Sequence, residues 1–175
     1  MPLLSPLRSR RLAQQEHLKN QQTLITFQLG SHRVGRAEPF NFGLPILWAK
    51  RVLAWQDLQA GHGNSSIRLG PSHRSETSER SIPLLDTGRL LLGKPLLFQP
   101  QALILLQPPG QEEVGLPIPT QPMLRRLSLA QIQAVPSSHA AQARQRGIVQ
   151  WVPAAGGVPH LFLLDPDLWF AQNKP

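Results

Sequence analysis

The chain has 175 residues, of which 41% are apolar and none is cysteine. The length allows one domain or two small halves that share a core, and without cysteine the chain has no disulfide framework, thiolate metal site or cysteine nucleophile. Eighteen prolines and 13 glycines favour short strands with frequent turns over a helical bundle. The formal net charge of +8 is typical of a soluble basic surface or of a nucleic-acid-binding protein.

Residues 1–20 are polar, basic and interrupted by prolines, and we expect them to form a flexible N-terminal arm. The charges follow the first apolar residues, whereas in a secretory signal the charges come first. No apolar run approaches the roughly 18 residues that a membrane-spanning helix needs. The sequence therefore predicts a cytoplasmic protein that does not insert into a membrane.

The next part of the chain alternates predicted strands and turns. Residues 24–29 (LITFQL) are apolar and β-branched, which is typical of a strand; a turn at 30–32 and a polar loop at 33–41 follow. The segment 42–46 resumes as a strand, and its proline indicates an edge position or a strand end. Residues 48–55 (WAKRVLAW) fit either a strand after a bend or one face of a helix.

Residues 59–80 are rich in glycine, serine, histidine and arginine, and we expect a long exposed loop that can include a short strand at 67–69. A buried strand at 81–85 and a short helix at 87–92, closed by Gly93, follow. The later segments again alternate predicted strands and turns. They are strands at 102–107 and 112–118 around a turn at 108–111, an apolar periodicity at 124–135, strands at 147–152 and 160–164 around a turn at 156–157, and a helical turn at 166–170.

Two short motifs occur twice in the same order. The tetrapeptide GLPI begins at Gly43 and again at Gly115, and an LLD motif ends at Asp86 and again at Asp165. The separations of 72 and 79 residues are similar, which indicates an internal duplication. The sequence therefore predicts an all-β protein built of two related barrel-like halves, at roughly 21–93 and 100–170.

The ordered segments resemble a CheW-type adaptor domain, the coupling module of chemotaxis-like signalling, over roughly residues 22–170. The matching pieces are LITFQLG, FGLPILWAKRVLAW, IPLLDTGRLLLG, ALILLQPPGQEEVGLPI, LSLAQIQAVPSSH and GIVQWV with HLFLLD. The resemblance implies a single domain at 21–172, followed by a tail at 173–175. It also implies a fold of two pseudo-symmetric, five-stranded SH3-like β-barrels with short helices.

The same resemblance implies a scaffold without catalytic activity. Such adaptors bridge the cytoplasmic tip of a methyl-accepting-type receptor to the regulatory domain of a CheA-like histidine kinase, in chemotaxis, phototaxis or pilus-motility signalling. The chain departs from the family in two side chains. Ser78 stands where members carry an arginine five positions before the proline of the LLD strand, and Arg51 stands where they often carry a glutamate. A reversed charge at a contact turns attraction into repulsion.

The sequence carries little that indicates catalysis. The six histidines show no metal-ligand spacing, and the glycines form no nucleotide-binding loop, so we expect no metal, cofactor or small-molecule substrate. Asp86 and Asp165 could be paired carboxylates, but residues at the ends of strands commonly cap the next helix. The four tryptophans could be a base-stacking platform or part of the core, and we favour the core.

We expect partner contacts at Trp48, Arg51, Leu53, Trp55 and Arg80, with burial in a barrel core as the alternative for the two tryptophans. The predicted function is a scaffold that couples a receptor or sensor to a histidine kinase. Two alternatives stay open. The charge of +8 also fits a small β-barrel that binds nucleic acid, and Ser78 with Arg51 also fits a degenerate structural protein that only dimerises.

Overall fold

The computed structural model describes residues 20–30, 39–60, 66–69, 80–95, 98–156 and 159–171. The strands are β1 Gln21–Leu29, β2 Phe40–Pro45, β3 Ala49–Ala54, β4 Gln59–Ala60, β5 Ser66–Leu69, β6 Arg80–Pro83, β7 Ala102–Leu106, β8 Val114–Ile118, β9 Met123–Ser128, β10 Gln133–Ala134, β11 Ile148–Val152 and β12 Leu161–Leu164. The helices are α1 Thr87–Leu92, α2 Ser137–Gln145 and α3 Asp167–Ala171, and short 3-10 turns lie at Ile46–Trp48, Trp55–Asp57 and Leu129–Gln131.

The strands form two curled sheets. Sheet 1 has the order β10-β11-β12-β2-β1-β9. Sheet 2 consists of β4-β5-β6 and β3-β7-β8, which a parallel bridge between Leu84 and Gly115 joins just after β6. Each sheet has five strands of four or more residues and one strand of two residues. The prediction of an all-β protein with two five-stranded barrels and short helices is therefore confirmed.

The two copies of the repeat do not each form one sheet. Sheet 1 takes β1 and β2 from the first copy and β9 to β12 from the second, whereas sheet 2 takes β3 to β6 from the first and β7 and β8 from the second. The expected assignment of one barrel to residues 21–93 and the other to 100–170 is corrected accordingly. The two sheets nevertheless have the same order of equivalent strands, because each strand of one repeat takes the place of its counterpart in the other.

The duplication is visible in the strand register. In sheet 1, Gly43 lies opposite Thr26 in the antiparallel pair of β1 and β2 and opposite Leu163 in the parallel pair with β12. In sheet 2, Gly115 lies opposite Leu105 of β7 and opposite Leu84. The two GLPI motifs therefore occupy equivalent strands, and each contacts the first leucine of an LLD motif.

Alternation along the strands divides the core into three parts. Ile25, Phe27 and Leu29 of β1 join Ala102, Ile104 and Leu106 of β7 in a central cluster between the sheets. Leu24 points instead into sheet 1, and Leu103 and Leu105 point into sheet 2. Because β7 is buried on both faces, its sequence ALILL is continuously apolar, as doubly covered strands usually are.

Several element predictions are confirmed with small shifts in their bounds. The helix at 87–92 occurs as expected and ends at Gly93, whose φ of 73° is left-handed and suits glycine. The ambiguous segment 48–55 is a strand, β3, between two 3-10 turns. The periodicity at 124–135 belongs to β9, a 3-10 turn and β10. The N-terminal arm, the loop at 33–38 and the tail at 173–175 lie outside the described residues.

Two expectations need correction. The exposed loop expected at 59–80 contains β4 and β5, which pair with each other and with β6; residues 61–65 and 70–79 lie outside the described part. The buried side chain of Ile67 packs these strands against Leu103 and Leu105 of β7, in the core of sheet 2. The sequence analysis also missed α2, because none of its residues is buried and no apolar stripe announces it.

Candidate docking groove between the sheets

The five residues expected to contact partners lie in different environments. Trp48 is half-buried against the central cluster and stacks on Phe170, with ring centroids 6.4 Å apart. Leu53 and Trp55 are half-buried against the core of sheet 2. Both tryptophans therefore contact the core, as in the alternative given for them, and each is only partly buried. Their contacts do not place the three apolar side chains together on one surface.

The two arginines of that set differ from the apolar residues. Arg51 is exposed on β3, opposite Leu105 of β7. Arg80 begins β6, where its backbone pairs with Leu69; its side chain lies outside the described part of the structure. Ser78, at the position where the family carries arginine, lies outside it as well.

A groove of about 360 Å³ runs between β3 of sheet 2 and β9 of sheet 1. These strands are equivalent edges, since β3 pairs with β7 and β9 pairs with β1; among the described strands neither has a second neighbour. The lining residues are Ile25, Ile46, Ala49, Lys50, Arg51, Val52, Gln121, Pro122, Met123 and Leu124. The groove is therefore a joint product of both repeats.

Large apolar side chains at the groove are exposed. Met123 is 70% exposed, Leu124 is 69% exposed and Val52 is 42% exposed, while Leu47, next to the lining residue Ile46, is 95% exposed. Edge strands are normally protected by charge or proline against unwanted pairing. Apolar residues concentrated at one place on two edges make this groove a candidate surface for binding another protein.

The groove also has a defined charge. Among the described residues that line it, Lys50 and Arg51 are basic and none is acidic. Lys50 occupies a register shift in β3, between Ala49 and Arg51, and its ammonium group binds the Glu113 carboxylate. Arg51 has no such acidic partner in the described part of the chain. The surface is therefore apolar at its base and positive on its β3 side.

Of the residues that line this groove, the sequence analysis singled out Arg51 as a candidate contact but not Ile46, Met123 or Leu124. The signal that could have found them is the segment QPMLRRL, in which adjacent apolar residues precede two arginines. In an edge strand, only one of two adjacent side chains can face the core. Leu127, further along β9, faces the core, whereas Met123 and Leu124 are both exposed.

The two strand-end carboxylates act as caps, as the sequence analysis favoured. Asp86 accepts a hydrogen bond from the Arg89 backbone N–H at 2.9 Å, and Asp165 accepts one from the Asp167 backbone N–H at 3.1 Å. Both interactions satisfy amides at the start of a helix. Among the described residues, no group of three or more histidine, aspartate or glutamate side chains could hold a metal ion.

No helix in the described ranges has the length and apolarity required to cross a membrane. No protein-family model matches the sequence, and no curated protein matches it either. Among solved structures, the chain is similar to the crystal structure of the scaffolding protein TtCheW from Thermoanaerobacter tengcongensis. The TM-score is 0.54 at 14% sequence identity, and the similarity covers 87% of this chain and 95% of that one. The chain has the CheW-like fold. Its two five-stranded sheets with short helices agree with the fold that the sequence resemblance implied.

Proposed function

We propose that the chain is a non-enzymatic scaffold of the CheW type, which couples a chemoreceptor or sensor to a CheA-like histidine kinase in the cytoplasm. Two findings support the proposal: the CheW-like fold and the apolar groove between the two edge strands. The groove carries the argument, because an exposed apolar surface of this kind serves recognition of a partner more readily than chemistry.

The proposed occupant of the groove is the helical tip of a receptor. An amphipathic helix can lay its apolar stripe on Met123, Leu124 and Val52, which are the exposed residues at the base. The positive side, at Lys50 and Arg51, selects a helix with carboxylates beside that stripe. Where related adaptors often carry glutamate, Arg51 reverses the required charge on the partner. We therefore expect a receptor tip that is more acidic than the usual one.

The proposed second partner is the regulatory domain of the kinase, for which we retain Trp55 and Arg80 as contact residues outside the groove. Trp55 begins a 3-10 turn at the end of β3 and is half-buried, so part of the residue stays accessible. Large aromatic residues and arginines are the usual anchors of such interfaces. A separate kinase surface would let the scaffold bind both partners at once.

The decisive experiment measures binding of purified protein to a cognate receptor cytoplasmic fragment and, separately, to the kinase regulatory domain. We expect Leu124→Glu to weaken receptor binding by about 30-fold, the effect of losing a hot-spot contact. Arg51→Glu should weaken it about tenfold through charge reversal. Val149→Glu is the matched control, since Val149 is also a partly exposed apolar residue but lies outside the groove.

Kinase binding should stay unchanged in all three variants. Receptor binding that survives Leu124→Glu at full strength would refute the groove as the receptor site. If neither partner binds the unmodified chain at tens of micromolar, the scaffold function itself fails. In that case a chain that only self-associates would support the degenerate structural alternative.

A second candidate function, nucleic-acid binding, is favoured by the net charge of +8. It requires that retention on DNA fall steeply with salt, because each phosphate contact releases counterions. Retention that does not change between low and moderate salt would exclude it. The carboxylate-bearing receptor helix and the nucleic acid would compete for the same basic residues, Lys50 and Arg51, so the two functions can be compared in one competition assay.

A further inference from the structure

A second cavity, of about 550 Å³, lies on the other side of β2 and shares no residue with the docking groove. The strands β2, β11 and β12 of sheet 1 form its floor through Phe42, Trp151 and Phe162. The helix α2 covers one side with Ala143, and α1 contributes Leu91. A pocket of this size and apolar lining is within the range of roughly 300–1,000 Å³ that holds small organic ligands.

Aromatic rings dominate the floor of this pocket. The ring of Phe162 lies 6.3 Å from that of Phe40 and 5.9 Å from that of Phe42, measured between centroids. His160 continues the row, with an edge-on contact to Phe162 at 5.5 Å. Phe40 remains 44% exposed, so the row is accessible at this residue. Rings at these spacings offer offset and edge-on contacts to a further planar ring.

The polar side of the pocket comes from α2 and the residue after it. His139, Gln142 and Arg146 line it, and Arg146 is the only permanently charged residue among its described lining residues. The Arg146 guanidinium lies beside Gly93, where a methyl group added to the glycine would stand 3.3 Å from Nη2. Gly93 thus leaves room for the guanidinium next to the pocket. No carboxylate of the described chain forms an ion pair with Arg146, so its charge is available to a ligand.

We propose that this pocket binds a small aromatic anion. The rings of the ligand pack on Phe40 and Phe162, and its carboxylate or sulfonate accepts hydrogen bonds from the Arg146 guanidinium. Burial of ring area provides the affinity, and the charge-assisted hydrogen bonds select an acid over a neutral ring. The site goes beyond the scaffold function and does not depend on it, because it involves a different face of sheet 1.

The test uses two probes that differ only in the acid group: 8-anilinonaphthalene-1-sulfonate and the neutral N-phenyl-1-naphthylamine. Calorimetric titration of the full chain should give one site for the sulfonate. Arg146→Gln should weaken sulfonate binding about fivefold or more, the effect of one charged hydrogen-bond partner, and should leave the neutral probe unchanged. This variant keeps the backbone carbonyl of Arg146, which accepts the Trp169 indole N–H, so that hydrogen bond is retained.

A second pair of variants locates the probe. Ala143→Trp fills the pocket and should abolish binding, whereas Ala141→Trp, on the exposed part of the same helix, should retain it. Binding that survives Ala143→Trp but is lost in Leu124→Ser would place the probe in the docking groove and overturn the proposal. Equal loss of both probes in Arg146→Gln would also overturn it, since the acid group would then have no role.

Discussion

Gly43 of sheet 1 and Gly115 of sheet 2 occupy equivalent positions, but the strand pairing next to them differs. Next to Gly43, β2 and β12 pair over three residues of each strand. Next to Gly115, the corresponding pairing is one bridge to Leu84, with a hydrogen bond of 2.8 Å from the Leu85 N–H to the Gly115 carbonyl. The same tetrapeptide thus supports a continuous ladder in one sheet and a single point of closure in the other.

Space around the two glycines differs in the same direction. A methyl group on Gly43 would stand 3.0 Å from Leu24 and 3.1 Å from Leu163, whereas on Gly115 it would stand 2.7 Å from Leu84 and 2.9 Å from Leu103. Leu24 and Leu103 are equivalent residues, as are Leu163 and Leu84. The shorter strand pairing at Gly115 is therefore accompanied by closer packing. A side chain added at Gly115 should be tolerated less well than one added at Gly43.

The largest effect is expected at the helix that follows the stronger ladder. A methyl group on Gly147 would stand 2.0 Å from the Trp169 indole nitrogen, at a φ of 73° that only glycine adopts easily. Gly147→Ala should displace the buried Trp169 of α3 and cost about 4 kcal/mol in the free energy of unfolding. Chemical denaturation followed by tryptophan fluorescence measures this loss.

Gly156→Ala is the control for that substitution. Gly156 also has a positive φ, of 59°, but a methyl group there meets nothing within 4 Å. It should therefore cost only the left-handed backbone strain of about 1 kcal/mol. Equal losses in the two variants would show that Trp169 does not anchor α3.

The next largest effect separates the two sheets directly. Gly115→Ala should lower the free energy of unfolding by about 3 kcal/mol through overpacking, and Gly43→Ala by about 1 kcal/mol. A double-mutant cycle with Leu84→Ala should show coupling of about 1 kcal/mol or more with Gly115→Ala, because the two residues touch. The comparison fails if Gly43→Ala is the more damaging change.

The helices after the two LLD motifs are also anchored differently. The Thr87 hydroxyl at the start of α1 is buried and donates to the Pro117 carbonyl at 2.6 Å, whereas α3 is held by the Trp169 indole. Thr87→Val keeps the volume but removes the donor, and should cost about 1.5 kcal/mol. Thr87→Ser, which retains the hydroxyl, is the matched control and should cost less; the reverse order would exclude the hydrogen bond as the anchor.

The smallest effects are expected at the caps. Asp86→Ala should cost about 1 kcal/mol, since Asp86 occupies the N-cap of α1. Asp165→Ala should cost about 0.5 kcal/mol, because its bond to the Asp167 N–H spans only two residues and leaves Trp169 in place. Thermal unfolding of both variants compares their losses of stability. Equal losses would show that the two caps contribute equally in the two repeats.

The duplication and most strands could be predicted from the sequence because they depend on local patterns. GLPI and LLD recur in order, and the alternation of buried and exposed positions in β1 is readable directly. The exchange of strands between sheets could not be predicted, because equivalent strands present equivalent partners. Of the candidate docking groove, the sequence analysis singled out only Arg51, since Met123 and Leu124 resemble core residues until their position on an edge strand is known.

Because each sheet takes strands from both halves of the chain, neither half can complete a sheet alone. A polypeptide that stopped near residue 95 would contain two strands of sheet 1 and four of sheet 2, and it would finish neither. Two such polypeptides could complete both sheets only by exchanging their first two strands with each other.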